Sequence, residues 1–223
     1  MKSNLILKST LGLSILLVII IYIKYCIPNI PAGFQALGCL VSVIILTVTI
    51  LFIDKLKFIW FNILQNKDVE IGLYIGLLWS VEIGINNFAR PGLPLRDIVD
   101  NIFWGLVAFL IFLTSIFNAK QTKEISQGVK SGFWSGLASG AVACLTALLL
   151  IVFGMNLILL DPLNIKEWSE MKSNTNLSSM PVYFAFQTIA GAIMHLIILG
   201  ALMGIILGFI GGIIWKTFNI LRN

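Results

Sequence analysis

The sequence predicts an all-α polytopic integral membrane protein, a bundle of six transmembrane helices in one domain. Three observations carry that expectation. Of 223 residues, 58% are hydrophobic and 11% charged, with a mean hydropathy of +0.98, whereas about a quarter of a soluble domain is charged. So much apolar surface needs lipid as its solvent. Next, Gly200, Gly204, Gly208 and Gly212 recur every fourth residue inside an apolar run. At about 100° per residue they return to one helix face, which then carries no side chains. In water each would weaken a helix by roughly 1 kcal/mol relative to alanine. In lipid the backbone has no water to bond to, so the helix persists and its bare face becomes a packing surface. Third, the basic residues stand singly between apolar runs, as topology signals do, without the dense patch that nucleic acid requires.

The first span is expected over 6–27 as an uncleaved crossing, because the run after Lys8 is long for a signal peptide and lacks a small-x-small cleavage site. Pro28-Asn29-Ile30-Pro31-Ala32-Gly33 reads as a tight turn. Span two covers 34–53, ending at Asp54-Lys55. The stretch Leu56 to Lys67 is too short and polar to cross, and either extends span two or lies at the interface with Trp60 at headgroup level. Span three covers 69–88. Pro91 and Pro94 forbid continuous helix before span four at 98–117. The polar stretch Asn118 to Lys130 links it to span five, 131–160, about 45 Å long at 1.5 Å per residue and so longer than a hydrocarbon core of about 30 Å. The loop 161–181 opens on Asp161-Pro162, an N-cap and N1 pair, which predicts a short interfacial helix over Leu163 to Met171. Span six runs over 182–215 and is again overlong.

Six crossings place both termini on one side. Lys2, Lys8, Lys55, Lys57, Lys67, Lys120, Lys123, Lys130, Lys216 and Arg222 then share the terminal side, against Lys24, Arg90, Arg96, Lys166 and Lys172 opposite. The excess of basic residues points that side to the cytoplasm, which suits a prokaryotic plasma membrane.

A second ladder, Gly132, Gly136 and Gly140, lies in span five. Counted from the predicted inner ends, Gly132 falls level with Gly212, Gly136 with Gly208 and Gly140 with Gly204, so the two grooves are expected to face each other. Gly72 and Gly76 repeat the spacing in span three, which hints at a duplicated hairpin.

Polar residues within apolar runs mark where chemistry is expected. Glu82 is an intramembrane acid, costly by at least about 2–3 kcal/mol and functional by default. Asn86 and Arg90 follow on its face. On span four Asp97, Asp100, Asn101 and Trp104 share one face. An antiparallel hairpin puts Asn86 near Asp100 and Asn101, Glu82 near Trp104, and Arg90 and Arg96 within reach of Asp97 or Asp100. Span six adds Gln187 and His195 on one face, and Asn156 of span five falls at similar height. Together these residues sketch a polar pocket on the outer side. The plainer alternative is interhelical hydrogen bonding, worth about 0.6 kcal/mol a pair.

Cys26, Cys39 and Cys144 show no CxxC or His/Cys cluster, and Cys26 and Cys39 sit at different depths, so no metal, cofactor or disulfide is expected. HExxH, Walker A and GxSxG motifs do not occur. Ser139 and His195 fall about 15 Å apart along the helix axis on the expected register, too far for a catalytic pair, and the chain reads as a non-enzyme. Two functional classes follow. One is a transport-type or permease-like subunit for a small solute or ion, with Glu82 at the heart of the pocket. At this chain length it implies a homo-oligomer or a partner membrane subunit. The other is a non-transporting sensor, immunity or assembly subunit whose glycine grooves bind a partner helix. A water-accessible cavity reaching Glu82 favours the first, and a dry core with Glu82 paired to Arg90 the second.

Overall fold

The computed structural model describes residues 2–27, 33–60, 63–175 and 177–222, and these are helical almost throughout, with no strand among them. In chain order the helices are α1 (Lys2–Ile21, continued by a π-helical turn Tyr22–Cys26), α2 (Gly33–Trp60), α3 (Ile63–Gly84, continued by a π turn Ile85–Ala89), α4 (Leu95–Thr122), α5 (Ile125–Leu159), α6 (Pro162–Met171), α7 (Met180–Met194), a π-helical segment His195–Leu202, and α8 (Met203–Arg222).

Among the described residues, four stretches are long and apolar enough to cross a membrane: Lys2–Tyr25, Leu95–Thr122, Ile125–Leu159 and Met180–Asn219. Against the six expected, the two that fall short have identifiable reasons. The apolar part of α2 within the described side chains is Gly38–Phe52. In α3 the apolar run is broken by Lys67, Asp68, Glu70 and Glu82. The turn expected from Pro28 to Ala32 lies outside the described residues, as do the side chains of Cys26, Asp54, Lys55, Lys57, Trp60 and Arg222. The backbone of α2 continues to Trp60, so the segment after Lys55 extends that helix.

α5 is the axis of the bundle and packs against α1, α3, α4, α7 and α8. Its composition explains the position. Ser131, Gly132, Ser135, Gly136, Ala138, Ser139, Gly140, Ala141, Ala143 and Cys144 are all buried, and small side chains on every face let several helices approach at once. Trp134, Leu148 and Ile151 fill the core with Leu7, Leu11 and Val18 of α1 and Leu196 beyond α7. Cys39 and Cys144 are both buried. Outside the core the surface is apolar, with Leu5, Leu51, Leu77, Phe109, Phe153 and Phe209 exposed, as a helix surface solvated by lipid should be.

The expected polar linker 118–130 is largely helix. α4 runs to Thr122 and α5 starts at Ile125, with Lys123 in the left-handed region at φ 61°. Gly128 therefore joins the α5 ladder. This changes the expected register. A Cβ on Gly132 would collide with Gly204 O, one on Gly136 with Gly200 O, and one on Gly140 with His195 O. A Cβ on Gly208 would sit 2.6 Å from Gly128 O. The rungs pair as 128 with 208, 132 with 204 and 136 with 200, eight residues from the offset expected by matching helix ends. Gly212 instead meets Ile125, the first residue of α5, and the last turns of α8 project past it. The offset follows from engaging a fourth rung, Gly128.

The same register corrects the separation of Ser139 and His195. Gly140 abuts the His195 carbonyl, so the two are level. They still form no pair: Ser139 Oγ donates to Gly136 O at 2.9 Å, and His195 Nδ1 lies 2.8 Å from Gly191 O.

On its other face α5 receives α3. Cβ atoms on Gly72 or Gly76 would strike Ser135, Ala138 and Val142. Gly72 and Gly76 thus resemble Gly132 and Gly136 in spacing and serve the opposite side of the same central helix.

Candidate functional site

α3 and α4 run antiparallel and meet along one stripe each. At helical spacing, Asp68, Ile75, Trp79, Glu82 and Asn86 share a face of α3 and its π turn. The facing stripe of α4 is Asp100, Trp104, Val107, Ile111, Thr114 and Asn118. Three rungs join them. Asn86 Nδ2 donates to Asp100 Oδ1 at 2.7 Å, the Trp79 and Trp104 rings meet edge to face at 5.4 Å, and Asn118 Nδ2 donates to Asp68 Oδ1 at 2.7 Å.

At the first rung, toward the α6 end, lies a cavity of about 320 Å³ lined by Glu82, Asn86, Arg96, Asp100, Trp104, Asp161, Gln187 and His195, among others. Glu82 is 7% exposed. Its Oε1 accepts from Asn86 Nδ2 at 2.8 Å, so one amide nitrogen bridges the Glu82 and Asp100 carboxyl groups. Asn86 Oδ1 is buried without a hydrogen-bond partner. Three carboxyl groups and one guanidinium thus line one small open cavity. Like charges this close favour a proton or a cation between them.

The guanidinium is committed elsewhere. Arg96 donates to Asp161 Oδ2 and to Asn86 O, each at 2.6 Å. The expectation that Arg96 pairs with Asp97 or Asp100 is therefore corrected. The free carbonyls at the end of the α3 π turn, which a helix terminus leaves without partners, and the buried Asp161 present a better-shaped pair of acceptors. Asp161 also caps α6 by accepting from Leu163 N at 3.0 Å, as Asp before Pro at a helix start implies. Arg90, in the left-handed region at φ 48°, donates to Asn87 O at 3.3 Å and not to Glu82 or Asp97.

The remaining candidates divide. His195 opens the π segment and lies edge-on to Trp79 at 5.0 Å, with Trp104 at 6.2 Å, so His195 and Trp104 line the cavity and Trp79 packs behind them. Gln187 lines the cavity, but its Nε2 donates to Glu167 Oε1 at 2.6 Å, which Tyr183 also reaches at 2.7 Å. Asp97 and Asn101 are exposed, and Asn101 donates to the Asp97 carbonyl at 2.7 Å; neither lines the cavity. Asn156 is likewise exposed and outside it.

Sequence reasoning missed Asp161 and Glu167, because their partners are 65 and 20 residues away and no periodicity links them. It also missed Trp79, which continuing the Glu82–Asn86 stripe one turn inward would have found. Among the described residues no group of His, Cys, Asp and Glu is arranged to hold a metal ion. Comparison with protein families, with curated proteins and with solved structures gave no match.

Proposed function

We propose that the chain is a permease-like subunit of the plasma membrane that crosses six times, with both termini cytoplasmic and the α6 end outward. Its outward cavity takes up a proton or small cation between Glu82 and Asp100. The observation that carries this reading is the Asn86 amide held between two carboxyl groups inside a cavity with three acids and one, already paired, arginine. A carboxyl kept only for packing would be matched to a cation, and Glu82 is not paired with Arg90.

The orientation follows from the distribution of basic residues. The fifth and sixth crossings are the overlong α5 and the α7–α8 run, whose glycine faces meet. The two remaining crossings would be residues 34–53 within α2 and residues 69–88 of α3 and its π turn. Glu82 turns inward toward α4, where Asn86 joins it to Asp100, which is how ionisable residues are tolerated in a membrane.

The alternative is a sensor or assembly subunit gripping a partner helix through its glycine grooves, and the packing of those grooves favours the first reading over it. The grooves of α3, α5 and the α7–α8 run are filled within the chain.

The test is flux. The purified chain is reconstituted into liposomes carrying a pH-sensitive dye, and gradients of H⁺, Na⁺ or K⁺ are imposed. Wild type should dissipate at least one gradient faster than empty liposomes, and Glu82→Gln should not. Equal rates for wild type and empty liposomes would remove the transport reading.

A further inference from the structure

We propose that Asp68, at the opposite end of α3 from Glu82, is a second proton-binding site. Asp68 is 1% exposed. Its Oδ1 accepts from Asn118 at 2.7 Å and from Ser131 at 3.0 Å, while Oδ2 is buried with no partner. A structural carboxylate clamped between helices would use both oxygens or face a cation. Here the facing groups are the neutral Asn118 of α4 and Ser131 of α5, and Lys67 of α3 lines the cavity alongside. That cavity, about 370 Å³ between α3 and α4, is rimmed by the exposed Lys67 and Gln121 and walled by Ile71, Ile75 and Leu110. It brings the surface to within one side chain of the acid. An oxygen with no accessible surface has no room for a metal ion with its shell, whereas a proton needs none.

Electrostatics agree with the geometry. Asp68 precedes the predicted crossing 69–88, and burial raises its pKa from 3.8 to about 6, opposed by the bonds from Ser131 and Asn118. Between Asp68 and Glu82 the α3 stripe is closed by Ile75 and Trp79, both buried. Fourteen residues of helix separate the two acids, about 21 Å. A role for Asp68 in transport, as the inward counterpart of Glu82, rests on the reading above. Its proton binding does not.

The experiment is infrared difference spectroscopy of the full chain in lipid nanodiscs as pH is lowered. Wild type should gain the carbonyl band of a neutral carboxylic acid with a midpoint near pH 6. Asp68→Asn should lack that band, and Glu82→Gln should keep it. Ser131→Ala, which removes a donor that favours the carboxylate, should move the midpoint upward, and it carries the test if Asp68→Asn does not fold. An unchanged band in Asp68→Asn, or an unmoved midpoint in Ser131→Ala, overturns the proposal. If the band behaves as expected while liposomes show no flux, the proton site stands and the transport reading falls.

Discussion

Asn86 holds Glu82 and Asp100 together: its single amide nitrogen lies 2.8 Å from one carboxyl group and 2.7 Å from the other. The two carboxyl groups are themselves within hydrogen-bond reach of each other, and the amide joins both from the same helix turn as Glu82. Asn86→Ala removes both bonds at once. Leaving buried polar groups unsatisfied costs about 1–3 kcal/mol, so its unfolding temperature in detergent should fall. Asp100→Asn removes the like charge and leaves a side chain of the same shape. It should match or exceed wild type in unfolding temperature while losing the proton or cation response in liposomes. Loss of both together would assign the pair to structure.

The glycine seam makes a prediction that separates rungs from bystanders. A Cβ at Gly136 meets backbone, Gly200 O, which cannot rotate away. Gly136→Ala should therefore force the helices apart and destabilise by about 1–3 kcal/mol, as overpacking does. Gly105 and Gly191 have nothing within 4 Å of an added Cβ. Alanine there should be neutral or stabilising, by up to about 1 kcal/mol from helix propensity. Unfolding temperatures of the three variants in one detergent decide it.

Arg96 ties the α3–α4 turn to the start of α6 through Asp161, whose side chain is 3% exposed against 16% for Arg96. Removing one partner of a buried pair leaves an uncompensated charge, which costs about 3–5 kcal/mol. Arg96→Met should be strongly destabilising. Arg96→Met with Asp161→Asn should recover much of the loss, because the neutral asparagine retains a cap acceptor for Leu163 N. A double variant as unstable as the single one would show that the hydrogen bond to Asn86 O, not the ion pair, is what Arg96 supplies.

How much of this was readable in the sequence depends on the kind of signal. The α3–α4 pairing was readable, because Glu82 and Asn86 on one helix and Asp100 and Trp104 on the next contrast sharply with apolar neighbours at helical spacing. That Gly132, Gly136 and Gly140 would face the glycines of the last run was also readable. Their register was not. A ladder with a rung every fourth residue meshes equally well at several offsets, and the deciding rung, Gly128, sat in a stretch whose Lys and Gln residues read as linker. The partner of Arg96 was unreadable for another reason. Asp161 already had a sufficient role as the cap of α6, and nothing local marks a side chain that serves two elements. Asp68 was passed over because it stands just before the apolar run, where a charge normally meets water. Only the Gly72 and Gly76 spacing, which places it on the face turned to α5, pointed inward.

His195 supplies the last prediction. Its ring fills the angle between Trp79 and Trp104, and Nδ1 faces the Gly191 carbonyl one turn back. One ring nitrogen is thus engaged with backbone, which leaves shape as the ring's main contribution to the cavity floor. Aromatic pairs are worth about 0.5–1.5 kcal/mol beyond their burial. His195→Phe should keep the edge-on packing, the unfolding temperature and the tryptophan emission of wild type. His195→Ala should open a void beneath Glu82, lower stability by about 1–3 kcal/mol within the usual range for single substitutions, and shift the emission of Trp79 as water reaches it. If instead His195→Phe folds normally but abolishes the liposome response, the imidazole carries protons to the acids above it, and the wedge description is withdrawn.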